Sequence, residues 1–151
     1  MNTSAPKALE EVLATIPHRP PFLFVDEVVS LSEDAIITKR VIRAEEPYFE
    51  GHYPGNPIMP GVLLSEAVFQ SGAIYLIKKL KAEGISAEDK TPVLSRIKEA
   101  KFKRMVKPGD TLFIEVKLQE KMGQFFFMQG TIRKDEKVVM TIEFALALVD
   151  E

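Results

Sequence analysis

The stretch Gly51-His52-Tyr53-Pro54-Gly55-Asn56-Pro57-Ile58-Met59-Pro60-Gly61-Val62-Leu63-Leu64-Ser65-Glu66 carries an imidazole near one end and a carboxylate at the other. Its prolines fix some backbone angles and its glycines free others, the composition of a loop that holds one side chain in one place. Histidine suits proton abstraction near neutral pH because its unperturbed pKa is about 6.5, so His52 is the first candidate base. The plainer reading, a turn histidine whose ring satisfies a nearby carbonyl, stands beside it.

On a helix, the neighbours of Glu66 three and four positions away are Val62, Leu63, Phe69 and Gln70. Its carboxylate therefore falls on a largely apolar stripe, where desolvation raises a carboxyl pKa and equips the group to donate a proton. The structural alternative is a core carboxylate paired to an Arg or Lys, or one facing solvent at a helix edge. Gln70, one turn on, is placed to orient the carboxylate or is an ordinary polar helix residue. Gly61 follows Pro60 at the helix start, where unpaired N–H groups and the positive end of the helix dipole polarise a carbonyl oxygen. Many helix-start glycines only accommodate a turn, so Gly61 gains weight from His52 and Glu66. A base, an acid and a polarising amide are the parts needed to take a proton beside a carbonyl and expel a β-hydroxyl as water. The same parts permit enolisation or hydrolysis, so the residues alone define acid–base chemistry on an acyl group.

These side chains need a scaffold. From Pro60 the apolar residues continue at helical spacing through Leu80, roughly 20 residues or about 30 Å of helix, with Gly84 as a stop. Pro6 to Thr15 reads as a short N-terminal helix ending before Pro17. Phe22–Leu31 and Ala35–Ile42 read as a hairpin about Ser32-Glu33-Asp34, and Pro92–Lys103, Thr111–Glu120, Gln124–Arg133 and Val138–Val149 as four further strands. Short turns between strands imply an antiparallel sheet. A helix apolar on nearly every side must be surrounded, and a strongly curved sheet is the simplest way to do it. The expected class is α+β, one domain over residues 1–151.

Composition narrows the function classes. The 151 residues are 46% hydrophobic, enough for one substantial core. A formal charge of -2 gives no global basic field for nucleic acid or an anionic membrane. With no cysteine there is no disulfide framework, thiolate metal site or cysteine nucleophile. His18, the only other histidine, reads mainly as a pin for the N-terminal loop, and two histidines without cysteine do not suggest a zinc site. No phosphate loop, serine-nucleophile elbow or dinucleotide fingerprint is present, so no cofactor or metal is expected. The start Met1-Asn2-Thr3-Ser4-Ala5-Pro6-Lys7 lacks the pattern of an export signal, and the apolar run Val62–Ile77 falls short of a membrane span. A cytoplasmic location is the expectation. Lys98, Lys101, Lys103, Arg104 and Lys107 form a local basic cluster, either a solvated strand face or a docking patch for an acidic partner.

The segments Ile16-Pro17-His18-Arg19-Pro20-Pro21-Phe22-Leu23-Phe24-Val25-Asp26, Gly51-His52-Tyr53-Pro54-Gly55 through Glu66-Ala67-Val68-Phe69-Gln70, Lys101-Phe102-Lys103-Arg104 and Lys107-Pro108-Gly109-Asp110 resemble the 3-hydroxyacyl-[acyl-carrier-protein] dehydratases of bacterial type II fatty acid synthesis. The resemblance spans roughly Leu9 to Val149 and implies a hot-dog fold. It implies an active site shared across a homodimer, with the loop histidine from one subunit and the helix carboxylate from the other, and dimers that often assemble into hexamers. It places His52 as the base taking the α-proton, Glu66 as the acid assisting the hydroxyl, and the Gly61 amide on the thioester oxygen. Its carrier contact draws in Lys98, Lys101, Lys103 and Arg104. Glu66 matches the dehydratase-only branch, where the dehydratase–isomerase branch has Asp. Pro20 stands where an aromatic residue is common, Tyr53 replaces a usual Phe, and Ser95-Arg96-Ile97-Lys98 is more basic than is typical. Two other readings remain: a hot-dog thioesterase, for which the His52 loop would be unnecessary, and a non-catalytic acyl-binding subunit, which would not need His52 and Glu66.

Overall fold

The computed structural model of the chain describes residues 4–86 and 89–150. Met1, Asn2 and Thr3, part of the stretch read for an export signal, lie outside them. Helix α1 (Ser4–Thr15) precedes strands β1 (Glu27–Leu31) and β2 (Ala35–Val41), a 3₁₀ turn (Pro47–Phe49) and the long helix α2 (Gly61–Ala82). Strands β3 (Lys90–Phe102), β4 (Thr111–Met122), β5 (Phe125–Lys134) and β6 (Lys137–Asp150) follow. They form one sheet in the order β1-β2-β4-β5-β6-β3 with every neighbouring pair antiparallel.

Period-two alternation gives each central strand one buried row. Leu112, Ile114 and Val116 on β4, Phe126, Met128 and Ile132 on β5, and Met140, Ile142, Phe144 and Leu146 on β6 form one core with α2 residues such as Leu64, Val68, Ile74 and Leu76. The helix is buried along most of its length, as an all-round apolar helix must be. At Gly130 it meets the sheet so closely that a Cβ would lie 2.2 Å from Val68 Cγ1. Buried Ser71 donates to the Ala67 carbonyl at 2.8 Å and so accepts from Thr38 Oγ1, also at 2.8 Å, satisfying a polar pair within the core. After α2, Gly84 at φ +77 ends the helix, and the Ile85 N–H closes on the Leu80 carbonyl at 2.9 Å. An antiparallel sheet folded around one long helix is the expected hot-dog arrangement.

Two details differ from the sequence expectation. The first strand begins at Glu27 and not at Phe22, because the backbone before it takes scattered partners, the Phe22 N–H on the Arg19 carbonyl at 2.9 Å and the Asp26 N–H on the Lys39 carbonyl at 2.8 Å. The Phe24 N–H donates to Gln70 Oε1 on α2 at 2.8 Å, and Asp26 uses its carboxylate to accept from the Val41 N–H at 2.7 Å. Strand β3 does not lie beside β4 despite the short connection between them. It occupies the far edge, against β6. The connecting segment 103–110 crosses the end of the domain and bonds there to other loops: Met59 N–H to Val106 O at 2.8 Å, Gly109 N–H to Ile42 O at 2.8 Å and Ile42 N–H to Asp110 O at 2.9 Å.

Candidate active site

The loop before α2 fixes His52 from two sides. Its N–H donates to the Tyr48 carbonyl at 3.2 Å, tying it to the 3₁₀ turn, and its ring stands edge-on to Tyr53 with centroids 4.8 Å apart. Tyr53 itself adopts φ 53, and its carbonyl accepts from the Asn56 N–H at 2.9 Å, closing a tight turn. The Nδ1 atom of His52 lies 2.7 Å from the Ile58 carbonyl oxygen. A carbonyl can only accept, so Nδ1 carries the proton and, in the neutral ring, Nε2 carries the lone pair. The carbonyl contact that made the plainer reading of His52 is therefore real, and it is also what leaves Nε2 free as a base.

Glu66 sits in the second turn of α2 with its side chain 22% exposed. Its neighbourhood is less apolar than the helix stripe suggests. Gln70 Nε2 donates to Glu66 Oε2 at 3.0 Å, and His18 Nε2 lies 3.7 Å from the same oxygen. Gln70 is buried and fully engaged, also donating to the Phe22 carbonyl at 3.1 Å while accepting from Phe24. Those two backbone partners set the amide's orientation and leave its NH₂ facing Glu66. The same residue thus holds the Phe22–Phe24 segment and the carboxylate.

Gly61 opens α2 one turn before Glu66. Its cap, Pro60, offers no side-chain oxygen to the helix start. The Pro60 carbonyl accepts from the Leu63 and Leu64 N–H groups at 3.0 and 3.1 Å, while among the described residues nothing accepts from the Gly61 N–H. An unpaired donor at the positive end of a 22-residue helix, one turn from a carboxylate, is equipped to polarise a carbonyl oxygen.

Of the residues picked out from sequence, the fold brings together Gly61, Glu66 and Gln70. It does not bring His52 to Glu66: no hydrogen bond or ion pair joins them within the chain. Lys98 and Lys101 pair with Glu143 and Thr141 of β6 in register, and Lys103 and Arg104 follow in the connecting segment. These four, with Arg96 and Lys107, are exposed and form no ion pair with a carboxylate among the described residues. His18, which reads from sequence as a loop pin, lies with Nε2 near Glu66 Oε2. A histidine in a proline-rich loop was the signal that singled out His52, and Pro17-His18-Arg19-Pro20-Pro21 carries the same signal. No group of three or more His, Cys, Asp or Glu side chains suited to a metal occurs among the described residues.

A sheet wrapped on a buried helix, with a loop imidazole and a helix carboxylate at its N-terminal end, defines a hot-dog domain with acid–base groups. The chain belongs to the FabA-like domain family, whose model matches residues 16–143. It is 38% identical over 140 residues to the 3-hydroxyacyl-[acyl-carrier-protein] dehydratase FabZ of Clostridium perfringens, covering 93% of this chain and 97% of the relative. Against the protein of the same name from Chloroflexus aggregans it is 45% identical over 113 residues, 74% of this chain and 75% of that one. In fold it is similar to the dehydratase heterocomplex ApeI:P from Xenorhabdus doucetiae, with a TM-score of 0.80 at 16% identity over 93% of this chain and 91% of that one. Among the described residues no helix is long and apolar enough to cross a membrane.

Proposed function

We propose that the protein removes water from 3-hydroxyacyl-[acyl-carrier-protein] to give the trans-2-enoyl thioester, in bacterial type II fatty acid synthesis in the cytoplasm. His52 Nε2 takes the proton from the carbon next to the thioester carbonyl. The carbonyl oxygen, held by the Gly61 N–H, takes up the developing negative charge. As the C–C double bond forms, the β-carbon–oxygen bond breaks, and Glu66 delivers a proton to the departing hydroxyl, which leaves as water. The catalyst resets by returning the proton from His52 to Glu66. The reaction moves protons and hydroxide and needs no electron carrier.

The observation that carries this reading is the pairing of a tautomer-fixed imidazole, with Nε2 free, and a helix carboxylate oriented by Gln70 one turn from an unpaired helix-start amide. Because His52 and Glu66 do not meet within one chain, the complete site is a product of a homodimer, with His52 of one protomer facing Glu66 of its partner. Strand β3 supports that assembly. It is an unpaired edge whose Leu94, Ile97 and Phe102 are exposed apolar residues in register with the inward-facing Leu146, Phe144 and Met140. The exposed basic residues Arg96, Lys98, Lys101, Lys103, Arg104 and Lys107 supply the charge to steer an acidic carrier protein.

The test is mass-resolved turnover of 3-hydroxyacyl-carrier substrates of several chain lengths, with native mass measured in parallel. Loss of water by a dimer or a trimer of dimers is expected. Release of free acid would make the protein a thioesterase, and no reaction at any length would make it a binding subunit.

A further inference from the structure

We propose that Phe102 is a positioning residue for the thioester, acting through the Gly61 amide; the proposal rests on the dehydratase reading above. The ring lies against the helix start so closely that a Cβ on Gly61 would stand 3.0 Å from Phe102 Cε1 and 3.3 Å from Cδ1 and Cζ. A Cβ on Gly61 would therefore press on this ring, and one of the two would have to give by a few tenths of an ångström, while the Gly61 backbone lies in the ordinary helical conformation and makes no demand of its own.

The sheet places the ring there by design of its register. Leu94, Ile97 and Phe102 do not share one parity along the chain, so a regular strand would turn Ile97 away from the other two. Irregularities between Leu94 and Arg96 and between Lys98 and Lys101, the second with Glu99 at φ 51, bring all three onto the row facing Leu146, Phe144 and Met140. Immediately after Phe102 the strand is held again, by the Lys103 N–H on the Val139 carbonyl at 2.7 Å. The ring stands beside an unpaired amide on the sheet edge that the proposed dimer covers, and there it walls the cleft that would hold the thioester. An apolar wall there excludes water from the Gly61 N–H, so that its hydrogen bond to the thioester oxygen forms in a low-dielectric setting, where it is stronger. The inferred role is electrostatic and geometric: Phe102 shields the donor and holds the carbonyl on it.

A double-mutant cycle on dehydration kinetics tests this, with Phe102→Ala, Phe102→Leu, Gly61→Ala and Gly61→Ala/Phe102→Ala, each checked for oligomer size and Tm. Phe102→Ala is expected to lower kcat about tenfold or more with KM changed far less, and Phe102→Leu, which keeps an apolar wall, to recover most of the loss. Gly61→Ala keeps the N–H but sets a methyl against the ring, and is expected to lower kcat in the wild-type background by displacing the amide or the ring. It should cost several-fold less once the ring is gone, a clear departure from additivity. Unchanged kcat in folded Phe102→Ala, a Phe102→Leu variant no more active than Phe102→Ala, or fold-changes that simply multiply, would overturn the proposal while leaving the dehydratase reading in place. A wild-type protein that releases no water overturns both.

Discussion

His18 Nε2 stands 3.7 Å from Glu66 Oε2, bringing a loop histidine from before the sheet to the helix carboxylate. The distance is too long for a direct hydrogen bond. Gln70 Nε2 donates to the same oxygen at 3.0 Å, so two polar groups converge on Oε2. His18→Ala should therefore lower kcat by about tenfold, well short of losing the acid itself, and leave Tm nearly unchanged. Steady-state kinetics beside a thermal melt checks this, and full activity would remove His18 from the site.

The two principal groups should be far less tolerant. His52→Ala is expected to abolish dehydration with assembly intact, and Glu66→Gln to lose at least about a hundredfold, because an amide cannot supply the proton. Turnover near the wild-type rate in either variant, measured on a 3-hydroxyacyl thioester, contradicts the assigned roles.

Gln70 joins structure and chemistry. Gln70→Leu strips partners from the Phe24 N–H, the Phe22 carbonyl and Glu66 at once. Leaving buried polar groups unpaired costs roughly 1–3 kcal/mol each, so both denaturant midpoint and kcat should fall. A variant that loses stability yet keeps kcat would show that Glu66 needs no such orientation.

Tyr48, whose carbonyl anchors His52, keeps its own hydroxyl buried with no hydrogen-bond partner among the described residues. Burial pushes its phenol pKa well above the ordinary 10.0; Glu46 adds to that rise and Arg40 opposes it. The unfolded chain ionises this group first, so its contribution to stability is fully present below pH 10 and is lost as pH rises above that value. Tyr48→Phe should leave Tm unchanged or slightly raised at pH 8, since an unsatisfied hydroxyl is removed. Above pH 10 the variant should lose less stability than wild type. Parallel melts across that range decide the point, and identical slopes would mean that Tyr48 does not titrate differently on folding.

Much of this was already legible in the residues. Apolar periodicity decided the long helix and the strands, because burial of one face at period 3.6 or 2 is a local constraint. The His52 loop and Glu66 stood out because rigid backbone and a carboxylate on an apolar stripe are visible without coordinates. What the sequence could not decide depended on partners distant in the chain. Phe22–Asp26 reads as strand, but its backbone bonds go to Arg19, to the Gln70 side chain and, at Asp26, to Lys39. The short link after β3 reads like a turn, yet segment 103–110 finds its hydrogen bonds in other loops and sends β3 to the far edge. His18 reads as a loop pin and Phe102 only as part of the Lys101-Phe102-Lys103-Arg104 segment, and it is the fold that sets one beside Glu66 and the other on Gly61. Local propensity determines which elements form, whereas the polar and steric contacts that make a site arise between elements and exist only once the sheet has closed on the helix.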